Sequence, residues 1–149
     1  MPEVSPAVRA LARRVLLHEA GGRVEPDALA EAAERADAQL RGRLADLIGL
    51  TGYTALVARA VRLAQAEVPA VERVTVDVGA GAEGSLRGVR ALVLANSGDP
   101  GVTEVGLSAI MAHVIGLLIT FIGEDLAERQ IREVWPELAH GQVDAEERI

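Results

Sequence analysis

The sequence predicts an all-α fold: a bundle of four to five helices around a long apolar C-terminal helix, with room for one short strand element near 72–78. Three observations carry this expectation. Residues 105–123, VGLSAIMAHVIGLLITFIG, hold no charge in a chain that is 25% charged. Three earlier segments repeat apolar residues at helical spacing. Aromatic residues make up only 2% of the chain, so its core must come from Leu, Val, Ile and Ala, which suit close helix–helix contact.

The elements follow in order. Ser5-Pro6 reads as a helix start, a capping hydroxyl followed by Pro at the first helical position. Val8, Leu11, Ala12, Val15 and Leu16 then share one face, and Gly21-Gly22 ends the helix. Pro26-Asp27 opens a second helix whose apolar face is Leu29, Ala33, Ala36, Leu40, Leu44 and Leu47. Glu31 with Arg35 and Asp37 with Arg41, each at i,i+4, are expected on its solvated side. Gly49 breaks that helix. A third restarts at Thr51-Gly52, with Val57, Ala60, Val61 and Ala64 inside, and Pro69 forbids its continuation.

Between Val71 and Val78 the run VERVTVDV alternates like a strand. One strand has no partner in this reading, so it is an extended connector, half of an edge hairpin or a dimer-forming strand. A fourth helix is expected from about Ser85 to Asn96, closed by Ser97-Gly98-Asp99-Pro100. The last is expected to run unbroken from about Val102 to Val134, roughly 50 Å at 1.5 Å per residue. Residues 1–138 thus form a single helical domain, and 139–149 read as a polar tail.

The uncharged segment is long enough to span a bilayer, but its flanks argue for a buried spine. Glu104 precedes it, Glu124, Asp125 and Glu128 follow it, and a span is normally oriented by clustered basic residues. Its small and polar residues, Gly106, His113, Gly116, Thr120 and Gly123, continue to Ala127 at 7-3-4-3-4 spacing, which holds one helical face. This stripe is the expected packing or interface seam. Leu107, Ile110, Met111, Val114, Leu118, Phe121, Ile122 and Leu126 occupy the other side.

Composition excludes several chemistries. There is no Cys, hence no disulfide, thiol nucleophile or Cys-ligated metal. All fifteen basic residues are Arg, which removes phosphate-loop and Schiff-base lysines. The net charge of −7 is uneven, the stretch from Glu124 onward being strongly acidic, and no basic patch accompanies aromatics, so no nucleic-acid partner is expected. MPEVSPAV lacks the basic and apolar regions of a secretory signal, and a cytoplasmic location is the default expectation.

Gly79-Ala80-Gly81-Ala82-Glu83-Gly84 fits G-x-G-x-x-G, and VDVGAG is similar to the first motif of methyltransferases that bind S-adenosylmethionine, with Asp77 before the turn. A dinucleotide fold needs several parallel strands, which a helical chain does not provide, so the segment reads as a linker. His113, the one titratable residue of the apolar segment, is the candidate for haem ligation or pH sensing; the ordinary alternative is a core histidine bonded to a carbonyl or hydroxyl. Glu124, Asp125 and Glu128 read as a solvated helix end, with Asp125–Arg129 and Glu128–Arg132 pairs expected. Arg9, Arg13, Arg14, Arg59 and Arg62 are candidates to pair with the acidic C-terminal helix of the same or another chain. No catalytic constellation, cofactor or metal site emerges.

The leading expectation is therefore a small non-enzymatic interaction or adaptor protein that self-associates, most simply as a dimer, and meets an unidentified protein partner. A helical sensor binding a hydrophobic ligand or haem near His113 is the second reading. A membrane-inserting protein using residues 105–122 is the third. If the small-residue stripe is a close-packing seam, Gly116→Leu overpacks it and costs about 1–3 kcal/mol. A Gly116→Leu variant with wild-type melting temperature and oligomeric state would dismiss the seam.

Overall fold

A computed structural model describes residues 4–71, 75–77, 85–87 and 100–138. Helix α1 (Pro6–Glu19) starts as its sequence dictates: the Ser5 hydroxyl accepts from the Val8 N–H at 3.2 Å, and Pro6 takes the first turn. It ends in a left-handed pair, Gly21 (φ 66°) and Gly22 (φ 81°), with the Gly22 N–H returning to the Leu17 carbonyl at 2.9 Å. Helix α2 (Pro26–Glu67) follows, then a 3-10 turn (Pro69–Val71), strand β1 (Thr75–Asp77), strand β2 (Ser85–Arg87), helix α3 (Pro100–Ile122) and helix α4 (Glu124–Val134).

The fold is all-α, with one two-stranded hairpin as its exception. β1 pairs antiparallel with β2, Val76 opposite Leu86, so the alternation near 72–78 belongs to half of a hairpin. The helix expected from Ser85 begins instead as strand β2, because β1 needs an edge to pair with and Ser85–Arg87 supplies it. The rest of that expected helix, and the expected tail at 139–149, lie outside the described residues.

Two glycines set the path of the chain. Gly49 interrupts α2 with φ 81° and ψ 153°, and Gly123 separates α3 from α4 with φ 91° and ψ 154°. Only glycine occupies this region of backbone space readily. At Gly49 the two halves of α2 fold back on each other. Tyr53 donates to the Asp37 carboxylate at 2.6 Å across 16 residues, which a straight helix would hold about 24 Å apart. At Gly123 the break overturns the expectation of one unbroken helix from Val102 to Val134. The turn lets α4 pack back against α2 instead of projecting.

α3 is the centre of the bundle. It shares its largest interface with α2 and its next with α1. Every residue from Ala109 to Ile115 is buried, so protein covers all sides of the helix there. The cover comes from α1 and α2, whose Ala12, Val15, Leu16, Leu40, Leu44, Val57 and Ala60 belong to the same core cluster. Alanines let the backbones approach closely, which compensates for the near absence of aromatics. Leu47, expected inside, is 45% exposed because it stands at the turn beside Gly49. Past Ile115 the cover thins, and of residues 116–122 only Leu118 is fully buried.

A Cβ added at Gly49 or Gly123 would meet no atom within 4 Å, so substitution there strains only the backbone. Gly49→Ala and Gly123→Ala should each destabilise the fold by about 1–3 kcal/mol. Thermal unfolding followed by circular dichroism measures this, and an unchanged midpoint for both variants would show that these turns are not held at positive φ.

Candidate functional site

Three carboxylates tie the helices together, and two of them hold the tips of the buried aromatics. Tyr53 is completely buried, and its hydroxyl is satisfied by Asp37, itself only 5% exposed. Burial first, and then the adjacent Asp37 charge, push the Tyr53 pKa well above its ordinary value, so the phenol remains a donor. Asp37 was expected on the solvated face of α2. It stands 4.0 Å from Arg41 as its spacing implies, but the fold-back at Gly49 turns it inward.

Glu19 is the second such carboxylate. Its Oε2 accepts from Trp135 Nε1 at 2.7 Å and from Gln39 Nε2 at 2.6 Å, while Oε1 stands 3.4 Å from Arg35 Nε. One side chain thus joins the end of α1, the first half of α2 and the residue that closes α4. Burial alone would raise the Glu19 pKa. The hydrogen bonds from Trp135, Gln39 and Arg35, with the Arg35 charge, outweigh it and hold the carboxyl below its ordinary value. Trp135 is the largest fully buried side chain of the protein, and truncating such a residue costs about 3–5 kcal/mol. Arg43 completes the closure by donating to Gln130 Oε1 at 2.8 Å and to Glu133.

His113 belongs to a third assembly. Its Nε2 lies 3.1 Å from Glu67 Oε1, and Arg9 grips the same carboxylate with both terminal nitrogens, at 3.3 and 2.6 Å. The Arg9 hydrogen bond is the main cause that lowers the Glu67 pKa, with His113 adding to it against the cost of burial. A charged Glu67 makes Nε2 the protonated nitrogen of the ring. Beside this assembly a groove of about 390 Å³ opens between α1 and α3, lined by Arg9, Arg13, Glu67, Glu104 and Ser108 with a floor of small aliphatic residues. Arg13 donates from Nε to Glu104 across it. The Ser108 hydroxyl is buried and has no hydrogen-bond partner among the described residues.

The stripe expected to act as one seam divides between interior and surface. Gly106 and His113 are buried. Gly116 is half-buried, and a Cβ there would sit 3.4 Å from Val4 Cγ2, so its neighbour is the segment leading into α1. Thr120 is exposed and donates back to the Gly116 carbonyl at 3.1 Å, while Gly123 is the exposed break. Three of the five arginines expected to meet the acidic C-terminal helix have other partners within this chain: Arg9 with Glu67, Arg13 with Glu104, and Arg14 with the Leu138 carbonyl at 3.2 Å. Among the described residues no ion pair forms between Asp125 and Arg129 or between Glu128 and Arg132, and it is Arg43 that engages α4.

Gly79–Gly84 lies outside the described residues, but the strands on either side pair antiparallel, unlike the parallel strands of a dinucleotide fold. No group of three metal-ligating side chains occurs among the described residues. Sequence reasoning missed three separate links, Asp37 to Tyr53, Glu19 to Trp135 and Glu67 to His113. Their partners lie between 16 and 116 residues apart, and no local spacing announces them.

The lowered Glu19 and Glu67 pKa values set the sign of the pH response. Stability from these carboxylates is fully present above their unfolded-state value near 4.5 and is lost as pH falls through the lower folded values. The melting temperature should hold between pH 7 and about 5.5 and drop below that, with a shallower drop in Glu19→Gln. Equal acid sensitivity in wild type and Glu19→Gln would show that Glu19 contributes nothing to it.

Comparison of the chain with protein-family models, with curated proteins and with solved structures gives no match.

Proposed function

We propose that this chain is a small non-enzymatic helical interaction protein that self-associates as a two-fold dimer through the surface around Phe121. One observation carries the reading. The chain has one Trp, one Tyr and one Phe. Trp135 and Tyr53, each with a polar tip, are 2% and 0% exposed, whereas Phe121, which has none, is 66% exposed. A bundle short of aromatics that leaves its only phenylalanine in water forgoes about 2 kcal/mol of burial, and such residues are typical anchors of interfaces.

The surroundings of Phe121 support the same reading. Leu117, one turn earlier on the same face of α3, is only partly buried and adds apolar surface beside Phe121. Contiguous apolar surface is the usual mark of an interaction site. A two-fold arrangement places the same patch on both partners and closes on itself, and the −7 charge limits further, unspecific association. The reading of His113 as a ligand to haem has less support, since its Nε2 is taken by Glu67 and the ring is 7% exposed. Two helices, Pro26–Glu67 and Gly101–Ile122, are long and apolar enough to cross a membrane. Insertion of residues 105–122 would require uncovering Ala109–Ile115, which the other helices now enclose.

Light scattering coupled to size exclusion tests the proposal. The expected result is a species of twice the chain mass that Phe121→Asp converts to the 15.7 kDa monomer without lowering its melting temperature. A single 15.7 kDa species for the wild type across micromolar concentrations would overturn self-association.

A further inference from the structure

We infer that two copies of the chain meet along the exposed face of α4, packed antiparallel across a two-fold axis. Such a seam rests on the self-association proposed above and gives it an orientation. On α4 the side chains of Asp125, Glu128, Arg129 and Arg132 are all exposed, while Ala127, Gln130 and Ile131 are buried on the opposite side. Spacing at i, i+3, i+4 and i+7 puts the four charges on one helical face. Along the chain their signs run acid, acid, base, base. Water hydrates each of them in the single chain, so none demands a partner. What is informative is their order.

A two-fold axis crossing α4 between Glu128 and Arg129, at the middle of the helix, converts that order into complementarity. The two copies then run antiparallel, and residue i meets residue j wherever j meets i. Asp125 faces Arg132 of the second copy and Glu128 faces its Arg129, each contact being made twice. A parallel pairing would instead set acid against acid and base against base, which costs affinity. The helix dipole accounts for an acid in the first turn and an arginine in the last, but not for Glu128 and Arg129 at the midpoint. Nor do the i,i+4 pairs open to these residues form: among the described residues Asp125 and Arg129, and Glu128 and Arg132, make no ion pair. Glu124 and Glu133 also come level across the axis, and their repulsion is relieved because Arg43 of the same chain already holds Glu133. Phe121 adjoins this face. It lies three residues before Glu124, within about 11 Å of it even along an extended chain, which places the apolar surface proposed for self-association at the rim of the seam.

Charge reversal followed by mixing tests the seam in the full chain. Arg129→Glu with Arg132→Glu makes the face wholly acidic, and Asp125→Arg with Glu128→Arg makes it wholly basic. All four positions are exposed, so circular dichroism should show wild-type helix content in both variants. Light scattering coupled to size exclusion should find each variant alone dimerising about tenfold or more weakly than wild type. An equimolar mixture should form a heterodimer, resolved by native mass spectrometry, at wild-type affinity or tighter. The wild-type dimer should also dissociate more readily in about 1 M NaCl than in about 0.05 M, since salt screens attraction across the seam. This second measurement decides the matter even where a charge-reversed variant fails to fold. Homodimers of both variants at wild-type affinity, two folded variants that form no heterodimer, or a wild-type dimer unaffected or strengthened by salt would overturn the seam. A monomeric wild type overturns self-association and the seam with it, whereas a dimer that Phe121→Asp dissociates but charge reversal leaves intact overturns the seam alone.

Discussion

A helix buried on every side has to be surrounded, and here the other helices of the same chain do it. Ala109–Ile115 of α3 impose that demand, since each of these residues is out of water. Apolar burial supplies the driving force at about 25 cal/mol for each Å² removed from water. Its geometric consequence is that α1 and both halves of α2 must lie against α3. The turns at Gly21-Gly22, Gly49 and Gly123 are what allow this, because each reverses or redirects the chain within one or two residues. Positive φ at these positions is thus a condition of the core.

A core made of alanine and aliphatic side chains packs tightly but fits few shapes uniquely. Polar anchors add the specificity. Glu19 can accept from Trp135, Gln39 and Arg35 only when α1, α2 and the end of α4 are correctly placed. Tyr53 reaches Asp37 only when α2 folds back at Gly49, and His113 reaches Glu67 only when α3 lies along the end of α2. Breaking the buried Tyr53–Asp37 link costs more than an exposed ion pair gains, because the remaining group stays desolvated and unpaired. The i,i+4 pair of Glu31 and Arg35, at 3.9 Å and half-exposed, belongs to the weaker class.

The same arrangement leaves two regions unfinished. At the end of α3 the surrounding helices no longer reach round the helix, so Phe121 and its apolar neighbours meet solvent. Between α1 and the start of α3 the side chains stop short of filling the space, and charged groups line its rim. The first follows from a fact of shape. α1 has 14 residues and α3 has 23, so the shorter helix cannot cover the longer one along its length. The interaction surface proposed around Phe121 is the place where that mismatch comes to the surface.

What the sequence determined by itself was local or periodic. The capping of α1 by Ser5-Pro6, its termination at Gly21-Gly22, the break at Gly49, the stop before Pro69 and the burial of the middle of the uncharged segment were all legible, because each depends on backbone freedom or on the spacing of apolar residues. The strand at Thr75–Asp77 was legible from alternation, but its partner was not, since pairing is decided by where Ser85–Arg87 arrives in space. Only the tertiary structure decided that Gly123 is a corner, that Asp37 turns inward and that Leu47 turns outward. Glycine is tolerated within a helix as well as at its end, and the choice rests on whether α4 gains more by packing back on α2 than by continuing. The polar links of Glu19, Asp37 and Glu67 were likewise invisible. A charged residue at helical spacing reads as solvated until a distant aromatic, histidine or arginine is brought against it, and that depends on the whole path of the chain.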